Sequence, residues 1–219
     1  MTTAARQVLV TGATGYIGSR LIPPLLARGH QVRALVREAS QSRVPAGAVA
    51  AVGDALNATS IAAHLRPGDT VVHLVGTPHP SPAKAAEFQR VDLVSIRAAV
   101  EAAATIGVAH VVYVSVAQPA PAMKAFLAVR AEGEARIRDA GLTATILRPW
   151  YVLGPGHRWP LALVPFYAIA RLIPATREGA TRLGLVTIDQ MIAALVSAVE
   201  HPPAPGAITI VDVPGIRRG

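Results

Sequence analysis

The sequence predicts an α/β fold in which a parallel sheet is covered by helices on both faces. Two observations carry this prediction. Short apolar runs alternate with longer stretches of helical pattern along the 219 residues, which is the βαβ rhythm of such sheets. The first run, Val8-Leu9-Val10, leads straight into a turn punctuated by Gly12, Gly15 and Gly18, and then into a helical pattern. Hydrophobic residues make up 52% of the chain and charged residues 16%, a balance that excludes a disordered polypeptide. The length suits a single domain spanning 1–219, with 150–185 expected to form a small substrate or lid lobe.

Strands are expected at Gln7–Thr11, Gln31–Val36, Val49–Val52, Thr70–Leu74, His110–Val114 and Thr143–Leu147. Ile17, Leu21, Leu25 and Leu26 give the first helix its apolar side, and Gly29 supplies its stop signal. Pro23 and Pro24 fall inside that helix, where they remove backbone donors and are expected to kink it. The alanine-rich run from Ala83 to Thr105 reads as a long helix, and Lys124–Ala140 as another that ends at Gly141. Pro202, Pro203 and Pro205 close the last helix, after which Ala207–Val211 can form a late strand.

The formal charge of +8 raises the question of nucleic acid, but the arginines are dispersed and aromatics are only 4% of residues, too few for base-stacking platforms. The charge reads instead as a solvated, arginine-rich surface that favours anionic ligands. There is no cysteine, which removes disulfides, thiolate metal sites and cysteine nucleophiles and makes a reducing cytoplasm the default compartment. Met1 to Gln7 is polar, so no secretory signal is expected. His64, His79, His110 and His201 show no metal-ligand spacing with carboxylates, so no metal site is expected.

The segment Thr11-Gly12-Ala13-Thr14-Gly15-Tyr16-Ile17-Gly18 carries the main functional signal. One glycine lets the chain turn sharply out of the strand, one lets backbone N–H groups approach a pyrophosphate, and the third brings helix and strand together. The helix N-terminus then faces the anion with its unpaired N–H groups and positive dipole end. The second strand ends at Arg37, where a basic residue pairs with the 2′-phosphate of NADP and an acidic one selects NAD. Glu38 next to it could oppose that preference, and the alternative for Arg37 is an exposed strand-end arginine. Gly53-Asp54-Ala55 follows the third strand, where a carboxylate can accept from the adenine amino group or form an ordinary turn.

Taken with Val112-Tyr113-Val114-Ser115 and Leu147-Arg148-Pro149 followed by Gly154-Pro155-Gly156, these segments resemble the atypical, extended-like short-chain dehydrogenase/reductase superfamily, in its NAD(P)H-binding, NmrA-like and complex-I-subunit-like branch. The resemblance implies a Rossmann-like doubly wound sheet binding NADP, with NAD possible. It places Gly12, Thr14, Gly15, Tyr16 and Ile17 on the pyrophosphate, Arg37 on the 2′-phosphate side and Asp54 with Ala55 near adenine. It sets Leu74, Val75 and Gly76 along the cofactor and Ser115 beside the nicotinamide.

The chain departs from this superfamily at one point. Its reductases use a Tyr-x-x-x-Lys pair on the helix after the serine strand, where the lysine lowers the phenol's pKa and the phenol moves a proton. The matching positions here are Phe126 and Arg130. Phenylalanine has no proton to give, while Arg130 keeps a charge able to hold the cofactor ribose. Ser115 can donate to a carbonyl, and Tyr151 or His157 could replace the missing acid. Tyr113 and His73 read as core residues.

The apolar stretch Trp159–Ile173 contains prolines and is too short for a membrane span. It reads as an amphipathic helix over the sheet, with a lid on a lipophilic ligand or a peripheral membrane or protein contact as alternatives, Arg158, Arg171 and Arg177 then facing anionic groups. Two functional expectations follow. One is a cofactor-binding protein without tyrosine-dependent catalysis, sensing cofactor state or assisting a redox complex. The other is an NADP-dependent reductase or an epimerase- or dehydratase-like enzyme of an apolar small molecule.

Overall fold

A computed structural model describes residues 4–120, 122–156, 178–179 and 181–218. The main sheet contains β1 (Gln7–Thr11), β2 (Gln31–Val36), β3 (Val49–Val52), β4 (Thr70–His73), β5 (His110–Val114), β6 (Ala144–Leu147) and β9 (Ile208–Val211). The spatial order is β3-β2-β1-β4-β5-β6-β9 with every neighbouring pair parallel. This is the expected Rossmann-like doubly wound sheet. A separate parallel pair, β7 (Tyr151–Leu153) with β8 (Leu185–Thr187), was not foreseen. Its three-residue strands are too short to show a period.

Alternation along the strands divides the core into two sides. Val8, Val10, Val32, Ala34, Val36, Val72, Val112 and Leu147 point toward α1 (Gly18–Ala27) and α6 (Ile188–Glu200). On the other face Leu9, Leu35, Ala51 and Val71 meet α2 (Ala58–Ala62) and α4 (Val94–Ile106), and Val111, Tyr113, Ala144 and Ile146 meet α4 and α5 (Lys124–Asp139). Both faces are therefore apolar, which is why these strands read as continuous hydrophobic runs.

The helix α1 runs through Pro23 and Pro24. Each interior proline costs on the order of 3 kcal/mol, and complete burial of Leu21, Ile22 and Leu25 offsets that cost. Thr187 caps α6 through a reciprocal pair with Gln190, and the short helix α7 (Val213–Arg218) follows β9. The expected Ala83–Thr105 helix is not uniform: α3 (Ala85–Glu87) passes through a π-helical segment, Phe88–Leu93, before α4 begins. The wider turn carries Asp92 inward, where it is 1% exposed. Among the described residues no helix is long and apolar enough to cross a membrane. The stretch Trp159–Ile173 and most of the expected 150–185 lobe lie outside the described residues.

Two of the motif glycines stand where a side chain would not fit. Gly12 has a φ of +71°, and a Cβ there would stand 2.8 Å from the Leu74 carbonyl carbon. A Cβ on Gly18 would fall 2.8 Å from the Ala13 backbone, so α1 can approach β1 this closely only without a side chain. Gly18→Ala is expected to destabilise the protein by about 1–3 kcal/mol, a loss of roughly 2–12 °C in Tm for a chain of this size. Gly179→Ala, which meets nothing within 4 Å, should leave Tm unchanged in the same thermal-shift measurement. Equal shifts for the two would refute close packing at Gly18.

Candidate cofactor-binding cleft

The chain order reverses at β1, with β2 on one side and β4 on the other, and ligands in such sheets bind beyond the carboxyl ends of these strands. A cleft of about 390 Å³ opens there, lined by Gly12, Thr14, Leu35, Val36, Arg37, Ser40, Gly53, Asp54, Ala55, Leu56, Val75, Gly76 and Val91. Seven expected cofactor residues thus converge on one cavity: Gly12, Thr14, Arg37, Asp54, Ala55, Val75 and Gly76. Leu74 lies beside Gly12. Gly15 donates its N–H to the Gly12 carbonyl at 3.0 Å and so shapes the turn. Ile17 precedes α1 without a capping side-chain bond, and the Tyr16 hydroxyl lies against Gly154, away from the cleft lining.

Chemistry at the two ends of the cleft differs. Arg37 begins a 3₁₀ segment, Glu38–Arg43, whose Ser40 also lines the cavity and accepts from Arg43 at 2.7 Å. Asp54 Oδ1 accepts from the Leu56 N–H at 2.9 Å, an Asx turn. The ordinary-turn geometry is therefore present in a residue that also faces the cavity. The bare backbone at Gly12, the arginine and the carboxylate together suit a phosphate-bearing dinucleotide.

At the far end, the residues expected near the nicotinamide are held by partners within the protein. Arg130 donates to Asp92 Oδ1 at 2.6 Å and to the Val114 carbonyl at 3.1 Å, and only 9% of its side chain is exposed. A Cβ on Gly76 would touch it at 2.5 Å, so the guanidinium lies against that cleft residue. Asp92 also accepts from the Thr77 N–H at 2.9 Å and hydroxyl at 2.6 Å. Phe126 packs against Phe88 with centroids 5.0 Å apart, and the Arg130 guanidinium lies 5.0 Å from the Phe126 ring centre.

Ser115 is buried, and its hydroxyl donates to Glu134 Oε1 at 2.6 Å. Tyr151 stands in β7, half-buried and edge-on to Trp150 at 5.5 Å, and burial raises its phenol pKa. His157 lies outside the described residues. Tyr113 is fully buried, as expected for core, and burial likewise raises its pKa above the ordinary value, with Arg130 opposing. Among the described residues no group of three His, Asp or Glu side chains is arranged to hold a metal.

Asp92, Thr77, Ser40 and Glu134 were missed in the sequence. Asp92 and Glu134 sit within alanine-rich helical runs and gain their roles only from residues brought near by the fold, 38 positions away for Arg130.

The fold and cleft define a Rossmann-type dinucleotide-binding protein. The family model described as NAD(P)H-binding matches residues 12–157, so the chain belongs to that NAD(P)H-binding family, within the atypical short-chain dehydrogenase/reductases. It is 28% identical to the ceramide reductase of Caulobacter vibrioides over 100% of this chain and 68% of that protein. It is 30% identical to a 3-diazoavenalumate denitrifying reductase of a Streptomyces species, over 94% of this chain and 76% of that one. Among solved structures, MoeE5 in complex with UDP-glucuronic acid and NAD superposes with a TM-score of 0.69 at 23% identity, covering 94% of this chain and 75% of that one. A UDP-galactose 4-epimerase gives 0.69 at 19%, covering 97% and 81%. These two likenesses show the fold.

His73, at the end of β4, accommodates Thr11 Oγ1 on Nδ1 at 3.0 Å and Ser95 Oγ on Nε2 at 3.3 Å. Burial, with a smaller contribution from Arg130, lowers its pKa from 6.5 to about 3. Burial, with help from Arg6, lowers that of His110 to about 4. Both are neutral in the folded protein, so the unfolded chain alone takes up protons as pH falls below 6.5. Stability should fall by up to about 1.4 kcal/mol per pH unit for each histidine, through the window between about pH 6.5 and 4. Denaturant melts across that window are expected to show this slope, and His73→Gln to reduce it by about half. A flat wild-type profile would disprove proton exclusion.

Proposed function

We propose that this chain is an NADP(H)-binding protein that lacks tyrosine-dependent carbonyl chemistry and acts by sensing cofactor state or assisting assembly of a redox complex. The observation that carries the reading is the replacement of the proton-donating pair by Phe126 and an Arg130 ion-paired to Asp92. The bound cofactor supplies a hydride to give or a site to receive one. What this chain lacks at the expected place is a side chain able to move the accompanying proton.

Arg37 beside Ser40 at the adenosine end supports NADP over NAD. A charge-assisted contact to the 2′-phosphate contributes on the order of 1.5–3 kcal/mol, or roughly 10- to 150-fold in affinity. Calorimetric titration of Arg37→Ala is expected to show that loss for NADP(H) with NAD(H) binding unchanged. Equal affinity of the wild type for both cofactors would exclude this role.

A second reading, an NADP-dependent reductase of an apolar small molecule working through Ser115 with Tyr151 or His157, is favoured by the reductase relatives. Turnover separates the two. With NADPH and a panel of quinones, ketones and nucleotide sugars, wild type is expected to stay below about 0.01 per second, and Phe126→Tyr to gain about 100-fold by restoring a phenol. A wild-type rate of about 1 per second or more belongs to an ordinary enzyme and would establish the second reading instead.

A further inference from the structure

Glu134 is 3% exposed, and four donors converge on it: the Ser115 hydroxyl at 2.6 Å, Gln118 Nε2 at 2.9 Å, Arg148 Nε at 2.9 Å and a second Arg148 nitrogen on Oε2. The helix α5 reaches this depth because Gly133 passes so close to Tyr113 that a Cβ would lie 2.7 Å from the phenol oxygen. A carboxylate paired with arginine has acceptors only, so the proton in the short bond to Ser115 belongs to the serine.

We propose that Glu134 is a positioning residue that fixes the Ser115 hydroxyl as a hydrogen-bond acceptor, so that the group this serine meets in a ligand is a donor, an alcohol hydroxyl or an amide N–H, and not a bare carbonyl. A hydroxyl carries one proton, and Glu134 holds it. What Ser115 has left to offer is lone pairs. A ketone oxygen set against it would find no donor unless the bond to Glu134 were broken first. The ligand preference rests on the second reading above, in which Ser115 faces a ligand, but the geometry of the serine proton stands or falls without it.

The test is hydroxyl exchange. In protein labelled with ¹³C at serine and dissolved in equal H₂O and D₂O, a hydroxyl proton held by a buried carboxylate exchanges slowly and splits its own Cβ signal. One split signal is expected in wild type, identified by its loss in Ser115→Ala, and it should merge in Glu134→Ala as exchange quickens by at least about tenfold. Where Glu134→Ala does not fold, Glu134→Leu with Arg148→Met removes both charges at similar volume and should merge the signal likewise. An unsplit Ser115 signal in wild type, or splitting that survives loss of Glu134, overturns the assignment.

The splitting should also persist when the protein is saturated with NADPH. Its disappearance would mean that the serine turns on loading, and would likewise overturn the proposal. Isopropanol and acetone then test the ligand class. Isopropanol is expected to shift the Ser115 Cβ signal while the splitting stays. A shift with acetone, or with neither probe, rules out the donor preference. Because exchange in the free protein needs neither cofactor nor turnover, failure here is distinguishable from failure of the proposed function.

Discussion

The ion pair between Arg130 and Asp92 holds together the parts of the molecule that form the inner end of the cleft. It ties α5 to the π-helical turn before α4, and through Thr77 to the loop after β4. Its other arm reaches the Val114 carbonyl, one residue before Ser115. A pair buried this deeply gains little over apolar packing when intact, yet losing one partner strands a charge and costs on the order of 3–5 kcal/mol. Its value is geometric. Gly76 can lie against the guanidinium only because it has no side chain.

The outer end of the cleft rests on a different constraint, the close passage of backbones at β1. Gly12 lies against the start of the loop after β4, and Gly18 brings α1 down onto the turn. The same loop, Leu74-Val75-Gly76-Thr77, is therefore fixed from both sides: by backbone contact at Leu74 and by hydrogen bonds to Asp92 at Thr77. A cofactor laid along it would meet a wall already in place, and preorganisation of this kind lowers the entropy cost of binding.

What could be read in the sequence was what depends on neighbours along the chain. The inner strands of the main sheet were legible because burial on both faces makes them largely apolar runs. The glycine turn was legible because its requirements fall within eight residues. Leu74 was expected to end β4, but the strand stops at His73. Leu74 still donates to the Thr11 carbonyl at 3.1 Å, and its own carbonyl turns against Gly12. The roles of Asp92 and Glu134 could not be read, since an acidic residue in a helical run looks the same whether it faces water or a buried arginine.

The same logic gives four of the arginines a second role beside the surface one. The sequence reading assigned the arginines to a solvated surface. In the structure the buried carboxylates Asp69, Asp92, Glu134 and Glu200 pair respectively with Arg33, Arg130, Arg148 and Arg28. A buried carboxylate needs a partner that stays charged and meets both of its oxygens, and arginine's planar, always-charged fork of donors matches that geometry. Arg130 serves Asp92 and the Val114 carbonyl from two nitrogens at once. A lysine ammonium would have to reach both acceptors from a single nitrogen, so a lysine at this position asks the loop after β4 or the strand that carries Ser115 to adjust. Arg130 is thus bound into the architecture.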